Sequence, residues 1–338
     1  MKLRQLRYLV EIVRHDLNVT DAARALFTAQ SGVSHHIGLL EEELGFRVFV
    51  RRGKRIVALS RAGEDVLVIA ERMISDGENL KRLSGETAGE ASGDLIVATT
   101  YTQAHYTLPA VVRSFMARHP KVRLNIHPCS PGEAAELVRR RKATLCLSTE
   151  VVGSIGELVM LPGEAWNRSV VTPARHQLLR MKRLDLASIA KYPLVTYDFA
   201  FHKGSKIQTA FEAAGLTPRV VLTSTDPRII KTYVSAGLGI GLIASIAFER
   251  NEDRGLHLLD ASHLFEPSMT TIGIHRHSYI SSYVYDFIGL VLPRMDREAI
   301  EAIMAEPAAL AAQRGRRSSS PAAPARRSGR PPAEKMSD

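Results

Sequence analysis

The hydrophobic pattern of this chain changes once, near Leu95, and the change separates two kinds of predicted structure. Before Leu95, apolar residues recur at the helical spacings of three and four, as at Leu3, Leu6, Val10, Val13 and Leu17. After Leu95, short apolar runs alternate with helical stretches, and such alternation predicts parallel sheets covered by helices. We therefore expect a helical N-terminal part followed by α/β structure.

The α/β part contains two series of alternating elements. The first has predicted strands at Leu95–Ala98, Val122–His127 and Thr144–Ser148, with helices at Leu108–Arg118 and Glu133–Arg141. The second has strands near Ser169–Thr172, Leu194–Tyr197, Val220–Thr223 and Ile240–Ala244, with helices near Ser205–Ala214 and Pro227–Ala236. A last strand, Thr271–His275, and helix, Ser281–Leu292, are expected to return to the first series. The sequence thus predicts two α/β units.

Residues 18–43 have the pattern of a helix-turn-helix. A helix is predicted at Thr20–Leu26, followed by a turn and by a second helix from about Ala29–Gln30. The second helix turns Val33, Ile37 and Leu40 inward, while short polar side chains near its start point outward. A recognition helix needs this arrangement, because polar groups at its N-terminal end reach base edges in the major groove. An ordinary amphipathic helix pair is the alternative interpretation.

A basic turn follows this helix pair. The chain carries a formal net charge of +10, and its Arg47–Arg55 segment holds five basic residues with no acid between residues 46 and 60. Two short strands, Phe46–Val50 and Arg55–Leu59, are predicted around Gly53, and this wing would lie on the phosphate backbone. The candidate DNA-contacting residues are Thr28, Gln30, Ser31, Ser34, His35, Arg51, Arg52 and Lys54.

A second long helix is predicted to begin after Ser60, whose side chain suits the N-cap position. Val66, Ile69, Met73, Leu80 and Leu83 form a near-heptad stripe along it. This spacing favours pairing between two subunits, with packing against the chain's own domain as the alternative. Gly85 to Gly93 is predicted to be a linker.

Other features restrict the class of protein. The N-terminus lacks the apolar core of a signal peptide, and no run of about 18 apolar residues exists, so a cytoplasmic protein without a membrane partner is expected. Cys129 and Cys146 are isolated thiols, which suits a reducing compartment. The histidine pairs that begin at His35 and at His275 have no Cys or carboxylate at the spacing of a metal ligand, so neither a metal nor a cofactor is predicted.

Residues 1–60 closely resemble the winged helix-turn-helix of LysR-type regulators. The resemblance is carried by Leu3–Tyr8, Asn18–Ala23, Leu40–Gly45 and Ser60–Gly63. Further strings are similar to the cysteine-regulon activator branch of that family, and with them the resemblance covers roughly residues 1–295. These strings are Ala98–Ala104, Leu158–Pro162, Trp166–Arg168, Tyr192–Tyr197, Gly215–Arg219 and Ile230–Val234.

The resemblance implies a domain organisation and a set of partners. It implies a winged helix-turn-helix in 1–59, a linker helix and linker in 60–92 and an effector-binding domain in 93–302. The composition of residues 303–338, rich in Ala, Pro, Ser and Arg, predicts a disordered basic tail. The effector-binding domain would have two α/β subdomains of the type II periplasmic-binding-protein kind. The implied partners are double-stranded promoter DNA, a small effector, RNA polymerase as a candidate, and further copies of the chain in a homotetramer.

The effector site is expected where polar residues follow the predicted strands, because ligands of open parallel sheets bind outside the carboxyl ends of the strands. Neutral hydroxyl and amide donors there can hold a small oxyanion, although each such residue also suits a helix cap. The cleft of the cysteine-regulon branch takes sulfate or acetylated serine, and thiosulfate is a further candidate effector. The candidate effector-binding residues are Thr100, Thr102, Gln103, Ser130, Thr149, Trp166, His202 and Thr225.

Several functions remain open at this point. His202 stands where that branch commonly has threonine, so regulation of sulfonate or other sulfur-source use is an alternative to cysteine biosynthesis. A cleft between two α/β units can also belong to an enzyme or to a solute-binding protein. No motif for a nucleophile and base is present, and the helix-turn-helix argues against a transport protein. The sequence therefore favours a DNA-binding regulator that is not an enzyme.

Overall fold

A computed structural model describes residues 1–53, 55–87, 92–149, 156–202 and 204–305. The N-terminal part contains helices α1 (Leu3–Arg14), α2 (Val19–Ala25) and α3 (Gln30–Leu44) and the strands β1 (Phe49–Arg52) and β2 (Arg55–Leu59). The side chain of Asn18 accepts hydrogen bonds from the first turn of α2, and Gly45 ends α3 in the left-handed region that favours glycine. Both predicted helices are confirmed within one residue at their N-terminal ends.

The wing is an antiparallel hairpin in which Phe49 pairs with Leu59 and Arg52 pairs with Arg55. The first predicted strand, Phe46–Val50, was placed about three residues too early. Phe46 and Arg47 are exposed, and the structure puts Phe49 in the core between the helices. Arg51 and Arg52 therefore belong to the strand itself instead of to the turn.

Helix α4 (Arg61–Thr87) leads away from the wing. Its start matches the prediction, since the Ser60 hydroxyl accepts a hydrogen bond from the Gly63 amide at 2.9 Å. The predicted linker from Gly85 began too early, because residues 85–87 are still helical and residues 88–91 lie outside the described residues. Ala70 and Ile74 of α4 are buried in the core it shares with α1.

The first α/β unit, unit I, contains two separate stretches of the chain. Its elements are β3 (Gly93–Thr99), α5 (Leu108–Arg118), β4 (Val122–Pro128), α6 (Pro131–Arg139), β5 (Leu145–Ser148), β6 (Leu158–Trp166), β12 (Ser268–His275), α10 (Ser282–Val291) and α11 (Arg297–Ala305). The strand order is β4-β3-β5-β12-β6. The predicted return of the final strand and helix to this unit is confirmed.

The second unit, unit II, lies between these two stretches. Its elements are β7 (Arg168–Pro173), α7 (Leu186–Ala190), β8 (Leu194–Thr196), α8 (Lys206–Ala213), β9 (Val220–Thr223), α9 (Pro227–Ser235), β10 (Ile240–Ala244) and β11 (Leu256–Asp260). The strand order is β11-β7-β10-β8-β9. Its core contains the buried residues Val170, Ile207, Phe211, Ile230 and Leu242.

Both sheets are mixed, which corrects the prediction of parallel sheets. In unit I, β4, β3 and β5 are parallel, while β12 is antiparallel to both β5 and β6. Unit II repeats this arrangement, with β9, β8 and β10 parallel and β7 antiparallel to both β10 and β11. The strands β6 and β11 and the helices α7 and α11 were not predicted from the sequence. No helix among the described residues is long and apolar enough to span a membrane.

Candidate functional site

The recognition helix α3 presents a polar face at its N-terminal end. Gln30, Ser31 and His35 are exposed, and Ser34 is half-buried. Val33 on the opposite side is completely buried and fixes the helix against α1 and α2. Thr28 in the preceding turn is half-buried. The arrangement leaves the outward side chains available to a DNA duplex while the fold depends on the inward ones.

The two adjacent histidines of α3 have different surroundings. His35 points to solvent, whereas the ring of His36 packs against Tyr8 of α1 with centroids 5.2 Å apart. The Nε2 atom of His36 lies 2.5 Å from the Arg4 guanidinium. Burial, and then the positive charge of Arg4, lowers the pKa of His36. His36 therefore joins α3 to α1, and His35 is the histidine available for DNA.

A buried carboxylate fixes the wing to the recognition helix. Glu41, on α3, accepts hydrogen bonds from the backbone amides of Val48 and Phe49 at 3.0 and 3.1 Å. It also accepts one from the Arg47 guanidinium at 2.8 Å. Arg51 and Arg52 are exposed on the strand that these bonds hold, and Lys54 lies outside the described residues. The role of Glu41 was missed, because a glutamate within a Glu-Glu-Glu run looks solvated in the sequence.

Four of the predicted effector residues are buried at the carboxyl ends of the unit I strands: Thr100, Thr102, Gln103 and Thr149. The Thr100 hydroxyl accepts a hydrogen bond from the backbone amide of Gln103 at 3.3 Å. Gln103 begins a π-helical turn, Gln103–Thr107, and such turns are frequent at functional sites. The structure thus brings together the polar residues that follow β3.

Thr102 connects the two units. Its hydroxyl lies 3.2 Å from the phenol oxygen of Tyr197, which follows β8 of unit II. That oxygen also accepts a hydrogen bond from the backbone amide of Ala244 at 3.3 Å, and in its contact with Thr102 either hydroxyl can donate. Burial raises the pKa of Tyr197 to about 12, and the phenol therefore remains a proton donor. The two hydroxyls therefore link units I and II through a neutral hydrogen bond.

A second contact between the units is a hydrogen bond from a buried ion pair of unit II to a tyrosine of unit I. Lys231 of α9 donates hydrogen bonds to Asp253 at 2.7 Å and to the phenol of Tyr106 at 3.0 Å. Tyr106 belongs to the π-helical turn of unit I, and the lysine and aspartate side chains are 7% and 9% exposed. Burial alone would lower the pKa of Lys231, but the hydrogen bonds with Asp253 and Tyr106 raise it overall. The lysine is therefore held charged between the units.

The remaining predicted effector residues differ in their surroundings. Ser130 is half-buried and caps α6, where its hydroxyl lies 3.0 Å from Glu133. The ring of Trp166 lies under the Arg168 guanidinium at 5.0 Å, and its buried indole N–H has no partner among the described residues. Thr225 is half-buried before α9, and His202 is exposed. Within the described ranges no three potential metal ligands come together.

Sequence reasoning missed Tyr197, Lys231 and Asp253. Tyr197 and Lys231 lie within the strings that resemble the cysteine-regulon branch, but nothing in their spacing reveals a contact with unit I. Such contacts depend on how the two units pack against each other, and the hydrophobic periodicity of the sequence contains no information on that packing.

The family of the chain follows from two matches to family models. Residues 3–64 match the model described as "Bacterial regulatory helix-turn-helix protein, lysR family", and residues 88–296 match the "LysR substrate binding domain". The chain belongs to the LysR family. It is accordingly a DNA-binding transcriptional regulator and not an enzyme, and the helix-turn-helix predicted from the sequence is confirmed.

Relatives of high similarity come from one branch of the LysR family. The chain is 44% identical over 301 residues to the transcriptional regulator CysB of Burkholderia cenocepacia, covering 89% of this chain and 96% of the relative. It is 42% identical over 306 residues to SsuR of the same species, covering 90% and 99%. The solved cofactor-binding domain of the Cbl transcriptional regulator matches with a TM-score of 0.61 and 36% identity, covering 64% of this chain and 96% of that domain.

Proposed function

We propose that this LysR-family member regulates genes of sulfur assimilation or cysteine biosynthesis in response to a small oxyanion or an acetylated amino acid. The polar N-terminal end of α3 reads the operator, and the wing contacts phosphates. The effector binds in the cleft between units I and II. The observation that carries the effector assignment is the cluster of buried hydroxyl and amide groups after β3, which faces Tyr197 across the cleft.

The chemistry of this cluster favours an acceptor ligand. The Thr100 hydroxyl accepts a hydrogen bond from the backbone amide of Gln103, which leaves its own proton for an anion. The Thr102 hydroxyl shares a hydrogen bond with Tyr197 in which either oxygen can donate. The buried indole N–H of Trp166 can only donate. A sulfate-like oxyanion bound by such neutral donors needs no full counter-charge.

The DNA assignment is tested first. Duplexes selected from random sequence by the full chain are used as probes in gel shifts and in fluorescence titrations. We expect a selected duplex to bind at least about a thousandfold more tightly than a scrambled one, as specific regulators do. Equal affinity for both duplexes would contradict sequence readout by α3.

The effector assignment is tested by calorimetry with sulfate, thiosulfate, O-acetylserine and a sulfonate. Removal of the Thr100 hydroxyl in Thr100→Ala leaves a ligand oxygen unpaired and should weaken binding by about tenfold to hundredfold. An exposed matched control, Thr217→Ala, should bind as the wild type does. Failure of all four ligands to bind, or wild-type affinity in Thr100→Ala, would contradict the site.

The same titration distinguishes cysteine biosynthesis from use of other sulfur sources. A preference for the sulfonate over sulfate and O-acetylserine would support regulation of sulfonate or other sulfur-source use. If His202 contacts the anion, His202→Ala should weaken binding. Wild-type affinity in that variant would remove His202 from the site.

We also propose that α4 pairs with a second copy on the way to a homotetramer. Ile69, Met73, Leu80 and Leu83 of the predicted stripe are exposed, whereas Val66 packs against the core of the helix-turn-helix. The expected result in sedimentation is a tetramer for the wild type and smaller species for Leu80→Glu. An unchanged assembly in that variant would contradict pairing through this stripe. Contact with RNA polymerase remains part of the proposal and is tested by transcription from the selected duplex.

A further inference from the structure

Arg141 lies at the end of α6 in a backbone conformation that glycine normally adopts. Its φ is +55°, and the two hydrogen bonds around it have the pattern of a glycine-terminated helix: Arg141 N to Val138 O, and Lys142 N to Leu137 O, at 2.9 and 2.8 Å. A side chain in this region brings Cβ close to the following carbonyl, so arginine is sterically unfavourable there. The local structure alone gives no reason for an arginine at this position.

The side chain makes contacts that the backbone does not explain. The Arg141 side chain is only 11% exposed and reaches helix α4, the linker helix of the regulator. Its Nη1 atom lies 3.3 Å from the Ser75 hydroxyl and 3.5 Å from the Asp76 carboxylate. Its Nη2 atom lies 3.5 Å from the Nδ1 atom of His275, at the end of β12. The guanidinium therefore joins the linker helix to two elements of unit I.

His275 is oriented to accept from this guanidinium. Its Nδ1 atom also accepts a hydrogen bond from the His277 amide at 3.2 Å, so the ring proton is on Nε2. Burial, and then the charge of Arg141, lowers the pKa of His275 to about 4. The nearby acids Glu157 and Asp76 do not reverse this shift. The ring therefore stays neutral near pH 7 and does not repel the arginine.

Helix α6 connects this contact to the proposed effector cleft. It begins after Ser130, a candidate effector-binding residue, and its C-terminal cap is followed at once by Arg141. Nine residues of α-helix span about 14 Å. A short helix in a packed layer moves as a rigid body, so a displacement at Ser130 reaches Arg141.

We propose that Arg141 couples the effector cleft to the linker helix, and through it to the DNA-binding domain. The proposal rests on the proposed function, because it requires an effector near Ser130 and DNA at α3. Arg141 acts as a positioning residue that touches neither ligand. It holds α4 at Ser75 and Asp76 in the position set by α6.

The test compares two variants that each remove one arginine. Arg141→Gly suits the left-handed backbone and removes the guanidinium contacts with α4 and with His275. Arg140→Ala is the matched control, since Arg140 is 58% exposed and pairs with Glu136 inside α6. For each full-length protein, affinity for the selected duplex is titrated with and without sulfate and O-acetylserine. Calorimetry gives the affinity for each ligand, and amide hydrogen exchange follows the segment around Ser75.

We expect the effector to shift DNA affinity in the wild type and in Arg140→Ala by a factor typical of allosteric coupling, about fivefold or more. In Arg141→Gly the shift should fall below about twofold while ligand affinity is unchanged, and exchange around Ser75 should become faster. A full shift, or unchanged exchange, in Arg141→Gly would overturn the proposal. An absent shift in the wild type would contradict the proposed function itself. In that case the exchange data still decide whether Arg141 holds α4.

Discussion

The DNA-binding face and the effector cleft differ in what their side chains already contact. At the start of α3, Gln30, Ser31 and His35 are exposed. In the cleft, Thr102 and Lys231 are buried and bonded across the boundary between units I and II. The first surface is free for a partner, whereas the second also holds the protein together.

This difference separates two kinds of mutational effect. Substitution of exposed polar residues changes little in the folded state, so it should alter affinity and leave stability intact. Substitution of buried, bonded residues leaves their partners unsatisfied, so it should lower stability as well. The predictions below test this separation, from the largest expected effect to the smallest.

The largest effect is expected for Ser34→Ala combined with His35→Ala. Loss of base contacts should weaken binding to the selected duplex by about 1–3 kcal/mol for each residue. The free energy of unfolding should change by less than about 0.5 kcal/mol. Titration and chemical denaturation measure the two quantities. Ser114→Ala with His127→Ala, two exposed residues of unit I, is the control. Unchanged duplex affinity in the first double variant would contradict the DNA-binding face.

Lys231→Met should have the largest effect on stability. It leaves the buried Asp253 carboxylate without its partner, which typically costs about 3–5 kcal/mol of unfolding free energy. Hydrogen bonding raises the pKa of Lys231 in the folded protein above its value in the unfolded chain. The ion pair therefore stabilises the protein fully below the unfolded-state pKa of Lys231, and this stabilisation is lost only as the pH rises through the folded-state pKa. Denaturation of the variant and of Lys191→Met, an exposed control, measures the effect. Equal stability of the two variants would show that the ion pair is unimportant.

Thr102→Val should lower both the stability of the protein and its affinity for the ligand. Loss of the hydroxyl breaks the hydrogen bond with Tyr197 and removes a polar group from the proposed site, at about 1–3 kcal/mol for stability and for ligand binding. Tyr197→Phe is the informative partner, because it breaks the same bond while keeping the Thr102 hydroxyl. It should lower stability and leave ligand affinity within about threefold. A similar loss of ligand affinity in both variants would mean that the bond between the units, and not the hydroxyl, governs binding.

The smallest effect concerns pH. The pKa of His275 is lowered to about 4, so the unfolded chain takes up a proton before the folded protein does as the pH falls below about 6.5. Between pH 7.5 and 5.5 this linkage should remove about 1 kcal/mol of unfolding free energy, and His275→Gln should lose that part of the pH dependence. Identical pH profiles for the variant and the wild type would contradict the buried, neutral state of His275.

The sequence predicted the DNA-binding surface more completely than the cleft. A recognition helix is a local structure, so periodicity alone placed Val33 inward and Ser34 and His35 outward. Apart from β6 and β11, the strands of both units were found for the same reason. The antiparallel strand β11 was missed because its half-exposed sequence lacks a clear apolar run. Strand β6 was missed although it begins with the apolar run Leu158–Leu161.

The contacts that close the cleft depend on distant parts of the chain. Tyr197 meets Thr102 from 95 residues away, and Lys231 meets Tyr106 from 125 residues away. No local spacing encodes such pairs. Arg141 shows a related limit, because its strained backbone and its contact with α4 become visible only in the folded chain.

The separation of the two sites is tested most directly by amide hydrogen exchange of the full chain, measured alone, with a selected duplex, and with sulfate or O-acetylserine. The account predicts that the duplex slows exchange in residues 28–36 and 48–53, and that the ligand slows it in residues 99–107. The account would be contradicted if the ligand slowed exchange only in the helix-turn-helix, or if the duplex slowed exchange only in unit I.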